Sequence, residues 1–319
     1  MKKLLIVLFC IVSFISCEKD NSSINSGKEL VFSETPPLKS SGYTIVSKIV
    51  NGNQLFIAKY LDSSPAPLVI AIHGGAFIGG DPTLMFPAKI NKNYKFVDFA
   101  QLYANHISYA SIGYKLIDND KVNYVHESLE DIKGMVQHII DNAEEYNIDP
   151  ERIILFGSSA GASASLWLGL EGYFKKYIKG IVTMAPQASL NPVTWKHDFF
   201  DPLNKGDLYD TLYKQFNDSM DISALKYCLF KSVDDDVIIN YSKEHHLNYL
   251  NFMDEDDPEI YLLSGGLDLL HNYVHVFAIY AYSVIKGHTS VINYAKLPDT
   301  TYFGPETIAN FCIRKFSEN

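Results

Sequence analysis

The sequence is poor in positive charge and in cysteine. Its 27 lysine and arginine residues are outnumbered by 37 aspartates and glutamates, which gives a formal net charge of −10. This excess of negative charge argues against nucleic acid or an anionic membrane surface as a partner. None of the four cysteines forms a C-x-x-C pair, and no cluster of histidine and cysteine accompanies them. We therefore predict neither a metal site nor a cofactor.

The N-terminus has the layout of a secretory signal peptide. Two lysines precede an apolar run, Leu4 to Ile15, which is too short to span a bilayer. The run ends in Phe14-Ile15-Ser16-Cys17, which resembles a bacterial lipobox with Cys17 as the lipid-modified residue. On this interpretation residues 1–16 are the signal peptide and 17–40 a polar, flexible tether. The protein would then be anchored in the bacterial cell envelope, on the periplasmic or the cell-surface side. The alternative is an ordinary signal peptide whose cleavage site happens to include a cysteine.

The remaining cysteines leave the redox state open. Cys10 and Cys17 belong to the leader, whereas Cys228 and Cys312 lie in the body of the chain. The latter two either pair in an oxidising compartment or stay as free buried thiols.

A G-x-S-x-G motif marks a candidate nucleophile. Gly157-Ser158-Ser159-Ala160-Gly161 follows the apolar, strand-like run Ile153 to Phe156, and a helical stretch begins at Ala160. A sharp strand-to-helix turn lifts a serine hydroxyl above the edge of a sheet, where substrate can reach it. We therefore interpret Ser159 as the nucleophile, in preference to a Gly/Ser-rich turn without chemistry.

A glycine-rich loop upstream supplies what such a serine needs. His73-Gly74-Gly75 directly follows the strand-like run Leu68 to Ile72. Acyl transfer requires hydrogen-bond donors aimed at the oxygen that becomes negative, and glycine lets backbone amides approach closely. The amides of Gly74, Gly75 and Ala160 are the predicted oxyanion hole. The loop does not have the spacing of a phosphate-binding glycine motif.

These motifs resemble the α/β-hydrolase superfamily, and within it the hormone-sensitive-lipase-like carboxylesterases. The resemblance covers roughly residues 43–319 and includes three further segments: Tyr114-Lys115-Leu116, Asp131, and Asn147 to Ile153. It implies one α/β-hydrolase domain over residues 41–319, with an insertion at about 187–258 that forms a cap over the substrate pocket. The alternation of strand-like and helix-like segments independently favours a mostly parallel sheet with helices on both faces.

The resemblance also assigns the acid of a catalytic triad. A strand-like run, Glu259 to Leu263, precedes Gly265-Gly266-Leu267-Asp268-Leu269. The family has Gly-x-x-Asp-x-Leu at this point, so Asp268 takes the position of the acid that orients the histidine.

The triad histidine is missing from its expected place. In the family it follows the last strand, just before the C-terminal helix. Here the last strand is Ser290 to Lys296, Tyr302 stands where the histidine is expected, and no histidine occurs after His288. A phenol with a pKa near ~10 is a poor general base. A triad that lacks one member retains only ~10³–10⁴-fold catalysis over water.

Other histidines are candidates for a substitute base. His271 shares a loop with Asp268, and His246 with its neighbour His245 lies in the insertion. Each is also explained as an ordinary surface or helix histidine. His288 is excluded because it precedes the last strand, roughly 20 Å from the strand end where such sites lie.

Two functions follow from these residues. The first is a carboxylesterase-like serine hydrolase that cleaves a small or polysaccharide-linked carboxylic ester. The second is a catalytically impaired or non-catalytic hydrolase-fold protein that binds a ligand, because Tyr302 occupies the place of the base. Neither involves nucleic acid, and contact with a membrane is expected only through the N-terminal lipid anchor.

Overall fold

The fold is known from a computed structural model of the chain. It describes residues 43–60, 64–86, 97–117, 124–219, 221–264, 266, 268–296, 301–303 and 306–318. The predicted signal peptide, Cys17 and the tether lie outside the described residues and stay predictions.

Nine strands form one sheet in the described part of the chain. They are Thr44–Val50 (β1), Asn53–Lys59 (β2), Ala66–Ile72 (β3), Ser108–Ile112 (β4), Ile148–Ser158 (β5), Ile178–Met184 (β6), Glu259–Ser264 (β7), Ser290–Lys296 (β8) and Thr301–Phe303 (β9).

Helices connect the strands and follow the last of them. The α-helices are Phe99–Ala104 (α1), Val125–Asp141 (α2), Ala143–Tyr146 (α3), Ala160–Leu170 (α4), Gly206–Ser219 (α5), Ile222–Phe230 (α6), Asp235–Glu244 (α7), Tyr273–Ile285 (α8) and Ile308–Ser317 (α9).

The strand order places the loops that carry the predicted motifs side by side. The order is β1-β2-β4-β3-β5-β6-β7-β8-β9. Neighbouring strands pair in parallel throughout the central part of the sheet, which consists of β4, β3, β5, β6, β7 and β8. Strands β1, β2 and β9 join antiparallel at the two edges. The carboxyl ends of β3, β5 and β7 therefore lie at one edge of the sheet, where ligands bind in open α/β folds. The predicted mostly parallel sheet is confirmed.

Alternate residues of the central strands serve two separate cores. Leu68, Ile70 and Ile72 of β3 pack into the larger core with α2, α4 and α8. Val69 and Ala71 face the other way and pack against α1 and α9. This division follows from the two-residue period of a strand, and it confirms that helices cover both faces.

Helix α4 is buried along its whole length. Every residue from Ala160 to Leu170 is buried, as expected for a helix that is apolar or small on all sides. Its first turn lies against the end of β3: a Cβ atom added to Gly161 would be 2.1 Å from the carbonyl oxygen of Ile72. A Cβ at Gly157 would be 2.0 Å from the carbonyl oxygen of Gly161. Both glycines are therefore required by close backbone contact.

The segment between β6 and β7 is helical. Helices α5, α6 and α7 fall between Met184 and Glu259, and the described residues of this segment include no strand. Three of its aromatic residues, Trp195, Phe199 and Phe200, are buried in the larger core. Its role as a cap stays a prediction.

The two body cysteines form no disulfide. Cys228 and Cys312 both lie among the described residues and are not joined to each other. Cys312 belongs to α9 and is buried in the smaller core, whereas Cys228 packs against the larger core on the opposite face of the sheet. Of the two possibilities left open by the sequence, the disulfide is not observed, and of the two thiols only that of Cys312 is fully buried. Within the described ranges, no helix has both the length and the apolar character needed to cross a bilayer.

The close contact at Gly161 predicts that alanine destabilises the protein at this glycine but not at a glycine with open space around it. Gly161→Ala should lower the free energy of unfolding by about 2 kcal/mol, because the backbone must move to admit the methyl group. Gly134→Ala is the matched control, since an added Cβ on this α2 glycine has nothing within 4 Å. It should raise stability by up to about 1 kcal/mol. Urea unfolding of both variants checks this, and equal shifts of the same sign would contradict it.

Candidate active site

Ser159 occupies a strained turn between β5 and α4. Its backbone has φ 52° and ψ −118°, in the region that side-chain-bearing residues rarely adopt. The turn is held by hydrogen bonds on both sides: the Ser159 amide donates to the Met184 carbonyl at 2.8 Å. Its own carbonyl accepts from Ala162 at 2.9 Å and from Ser163 at 3.1 Å. Strain that persists because its surroundings hold it is typical of functional sites.

The Ser159 hydroxyl contacts a histidine. Its Oγ lies 2.9 Å from Nε2 of His271. The other ring nitrogen of His271, Nδ1, lies 3.0 Å from Oδ2 and 3.1 Å from Oδ1 of Asp268. In the neutral tautomer that satisfies both contacts, Nδ1–H donates to the carboxylate and Nε2 accepts the serine proton. This is the arrangement of a nucleophile, a base and an orienting acid.

The Asp268 carboxylate is oriented by its own loop. Oδ1 accepts hydrogen bonds from the amides of Leu270 at 2.9 Å and His271 at 3.1 Å. Burial by itself would raise the pKa of Asp268, but the His271 side chain and these two amides outweigh it and hold that pKa below its ordinary value. The acid is therefore kept as a carboxylate.

Asp268 and His271 lie three residues apart in one turn. The turn needs glycine at 266, because a Cβ there would be 2.6 Å from the Cβ of His271 and 3.2 Å from Oδ2 of Asp268. The view of His271 as an ordinary surface histidine is wrong, since its ring faces Ser159. The Asp-x-x-His spacing is the sequence signal that singles out His271, because residues three apart in a tight turn share a side.

The glycine loop after β3 runs past Ser159. A Cβ on Gly74 would be 3.2 Å from the Cβ of Ser159, so only a bare backbone fits there. Gly75 has φ +120°, and its carbonyl accepts from the amides of Ile78 and Gly79, both at 3.0 Å. Ala160 is the first residue of α4, where an amide has no partner within the helix. The structure thus brings the loop beside Ser159; its role as oxyanion hole stays a prediction.

His73 supports this loop. Its ring is buried, stacks on Tyr114 at 4.3 Å between centroids, and donates from Nδ1 to the Gly74 carbonyl at 2.7 Å. The Tyr114 hydroxyl donates to the His73 carbonyl at 3.0 Å. Burial lowers the pKa of His73 and so favours the neutral ring.

His246 is not near Ser159. Its Nδ1 lies 2.8 Å from Oε2 of Glu171, which follows the last residue of α4. Ser159 precedes the first residue of that helix, so the 11 residues of α4 separate the two sites, about 16 Å at the rise of an α-helix. The interpretation of His246 as a substitute base is wrong. His288 likewise lies elsewhere, 3.0 Å from the Pro258 carbonyl before β7.

Tyr302 lies in a strand. It pairs with Ala295 of β8 in the short edge strand β9, where the sequence predicts a turn. Ladder pairing with β8 accounts for the difference. The hypothesis that Tyr302 leaves the protein without a base requires that no other histidine contacts Ser159. His271 makes such a contact.

The chain matches one family model across its catalytic motifs. The BD-FAE family model aligns with residues 55–276, more than two thirds of the 319 residues. The chain belongs to the BD-FAE family. The aligned range includes Ser159, Asp268 and His271, and it ends before Tyr302. A comparison with curated protein sequences gave no match.

Solved esterase structures share the fold of this BD-FAE protein. A truncated carbohydrate esterase from gut microbiota superposes with a TM-score of 0.58 at 14% identity, covering 86% of this chain and 98% of the other. An arylesterase gives 0.56 at 17% identity, with 86% and 82% covered. A structure from work on two esterases of Rhizomucor miehei gives 0.54 at 16% identity, with 86% and 81% covered. The α/β-hydrolase fold is thereby confirmed.

A second histidine is buried behind the acid–base turn. The ring of His275 is fully enclosed; Nδ1 accepts from the Ala188 amide at 3.2 Å, and Nε2–H donates to the Leu269 carbonyl at 3.0 Å. Burial lowers the pKa of His275 to about 4, against a rise from the Leu269 contact. The charge of His271 adds to the lowering and that of Asp268 opposes it. The ring is therefore neutral in the folded protein.

The lowered pKa predicts a pH-dependent stability. Between pH 6.5 and about 4 the unfolded chain binds a proton at His275 that the folded chain does not bind. Stability therefore falls as pH falls through this window and is unaffected by this group above it. His275→Gln lacks the titration, so its free energy of unfolding should fall less than that of the parent, by on the order of 3 kcal/mol. Urea unfolding at several pH values checks this; parallel profiles would contradict it.

Proposed function

We propose that the protein is a serine ester hydrolase of the carboxylesterase kind. The observation that carries this proposal is the 2.9 Å contact of Ser159 Oγ with a histidine whose other nitrogen meets a carboxylate. Such a contact activates a hydroxyl that is otherwise a weak nucleophile. Membership of the BD-FAE family and the esterase-like fold support the same assignment.

Acylation would proceed through these three side chains. Ser159 Oγ attacks the ester carbonyl carbon while its proton passes to Nε2 of His271. The tetrahedral intermediate collapses, the C–O bond of the ester breaks, and the departing alcohol takes the proton from His271. Asp268 stabilises the imidazolium that exists between these two transfers.

Deacylation would repeat the sequence with water. His271 removes a proton from the water as its oxygen attacks the acyl carbon of the serine ester. The proton then returns to Ser159 Oγ as the carboxylic acid leaves. In both halves the carbonyl oxygen becomes negative, and the amides of Gly74, Gly75 and Ala160 would stabilise it.

The proposed substrate is a small carboxylic ester, including an ester on a polysaccharide. One solved neighbour is described as a carbohydrate esterase and another, with a TM-score of 0.50 at 15% identity, as an acetyl ester-xyloside bifunctional hydrolase. A location in the bacterial cell envelope, expected from the leader, suits a polymer substrate outside the cytoplasm.

Ester hydrolysis should depend on Ser159 and His271 together. With short-chain nitrophenyl esters, Ser159→Ala and His271→Ala should each lower kcat by at least ~10³-fold, and the double variant little further, because the two groups act as one unit. His246→Ala is the matched control, since that histidine contacts Glu171, and it should keep the parent rate.

Two other outcomes are informative in the same assay. An inert parent that gains activity from Tyr302→His would support the non-catalytic alternative and overturn the proposal. Acetate released from acetylated xylan, and lost in Ser159→Ala, would support the polysaccharide-linked substrate. Activity on nitrophenyl esters alone would limit the proposal to small esters.

We also propose that Cys17 carries a lipid. In a bacterial host fed labelled palmitate, the full chain should incorporate label and Cys17→Ser should not. Cys10→Ser is the matched control because it lies within the predicted signal peptide, and it should label like the parent. Equal labelling of the parent and Cys17→Ser would contradict the anchor.

A further inference from the structure

A buried glutamine lies between the nucleophile helix and the acid–base turn. Gln187 follows β6 by three residues and is 7% exposed. Its Nε2 donates to the Leu270 carbonyl at 2.9 Å, and Leu270 directly precedes His271.

The other end of the same amide contacts α4. The Ser163 hydroxyl donates to the side-chain Oε1 of Gln187 at 2.8 Å. The same hydroxyl accepts from the backbone N–H of Gln187 at 3.3 Å. Ser163 lies one helical turn after the nucleophile, and its own amide donates to the Ser159 carbonyl at 3.1 Å. The glutamine thus joins the two structural units whose separation sets the 2.9 Å contact between Ser159 and His271.

Two further contacts restrain this arrangement. The Tyr249 hydroxyl donates to the Gln187 carbonyl, which holds the backbone of the glutamine. His275 holds the carbonyl of Leu269, next to the one that Gln187 holds. Consecutive carbonyls between Asp268 and His271 are therefore each bound by a buried side chain.

We propose that Gln187 is a positioning residue for His271, fixing the distance of the imidazole from the Ser159 hydroxyl through the Leu270 carbonyl. A buried hydrocarbon of the same length would fill the space but bind neither Ser163 nor Leu270. A polar side chain at this depth requires hydrogen-bond partners. Its two shortest contacts, with Ser163 and Leu270, belong to the two halves of the site, and Nε2 also lies 3.5 Å from the Ala185 carbonyl in its own loop. The proposal adds to the serine hydrolase assignment and rests on it for its kinetic test.

The kinetic test uses Gln187→Met, which keeps the length and loses the amide. We expect kcat on nitrophenyl esters to fall ~100-fold, because a shift of about 1 Å in a catalytic group costs that much. KM should change less than about 3-fold, since Gln187 acts on the base and not on ground-state substrate. Gln215→Met, at an exposed position of α5, is the matched control and should match the parent.

A spectroscopic test does not need activity. The proton between His271 Nδ1 and Asp268 should give a low-field NMR signal that is absent in His271→Ala, which assigns it. In Gln187→Met this signal should broaden or disappear, whereas a glutamine with a merely structural role would leave it unchanged. An inert parent that shows this behaviour would reject the hydrolase assignment and keep the positioning role.

Ser163→Ala keeps the test decisive if Gln187→Met does not fold. It removes the helix partner of the glutamine and leaves Leu270 bound, so kcat should fall roughly 10-fold with KM unchanged, since the partial loss is smaller than that of the whole amide. In whichever variant folds, a kcat within about 3-fold of the parent together with an unchanged low-field signal would overturn the proposal.

Discussion

The close backbone contact between the start of α4 and the end of β3 is the constraint on which the site depends. Gly161 leaves no room for a side chain against the Ile72 carbonyl, and Gly157 leaves none against Gly161. This contact forces the chain to turn at Ser159 with a positive φ. It also brings the glycine loop after β3 directly beside Ser159, because that loop begins at the residue following Ile72. The turn and the loop are therefore parts of one packed unit.

The acid–base turn is a second unit with its own internal order. Asp268 binds the amides of Leu270 and His271 as well as the imidazole, so local hydrogen bonds set the orientation of base relative to acid. In the pattern that the chain resembles, the base comes from a separate segment after the last strand. Under the proposed function one turn supplies both groups here, and tertiary packing has to set only the distance from this turn to Ser159. A histidine near β9 is then unnecessary, which agrees with Tyr302 lying in an edge strand.

Much of the fold follows from local patterns in the sequence. The strands at 148–158 and 259–264 and the helix that begins at Ala160 appear where the apolar runs and the small-residue turn predict them. Ser159 and Asp268 follow from motifs that each lie within a few residues. His271 follows only as one of several candidates, since its distance from Ser159 is a property of strands separated by more than 100 residues. His246 was an equally open candidate, and only the position of Glu171 at the far end of α4 excludes it.

Local sequence patterns predict the turn at Ser159, the glycine loop, the place of Asp268 after a strand and the parallel character of the sheet. Each of these is encoded by neighbours along the chain: glycines where backbones touch, apolar runs where strands are covered on both faces, and a short acidic turn after a strand. The contact of His271 with Ser159 and the place of Gln187 between the helix after Ser159 and the Asp268 turn come from tertiary packing instead. Both depend on the sheet order, in which β6 lies between β5 and β7. That order places the loop after β6 against both of its neighbours, and it comes from the packing of the whole domain.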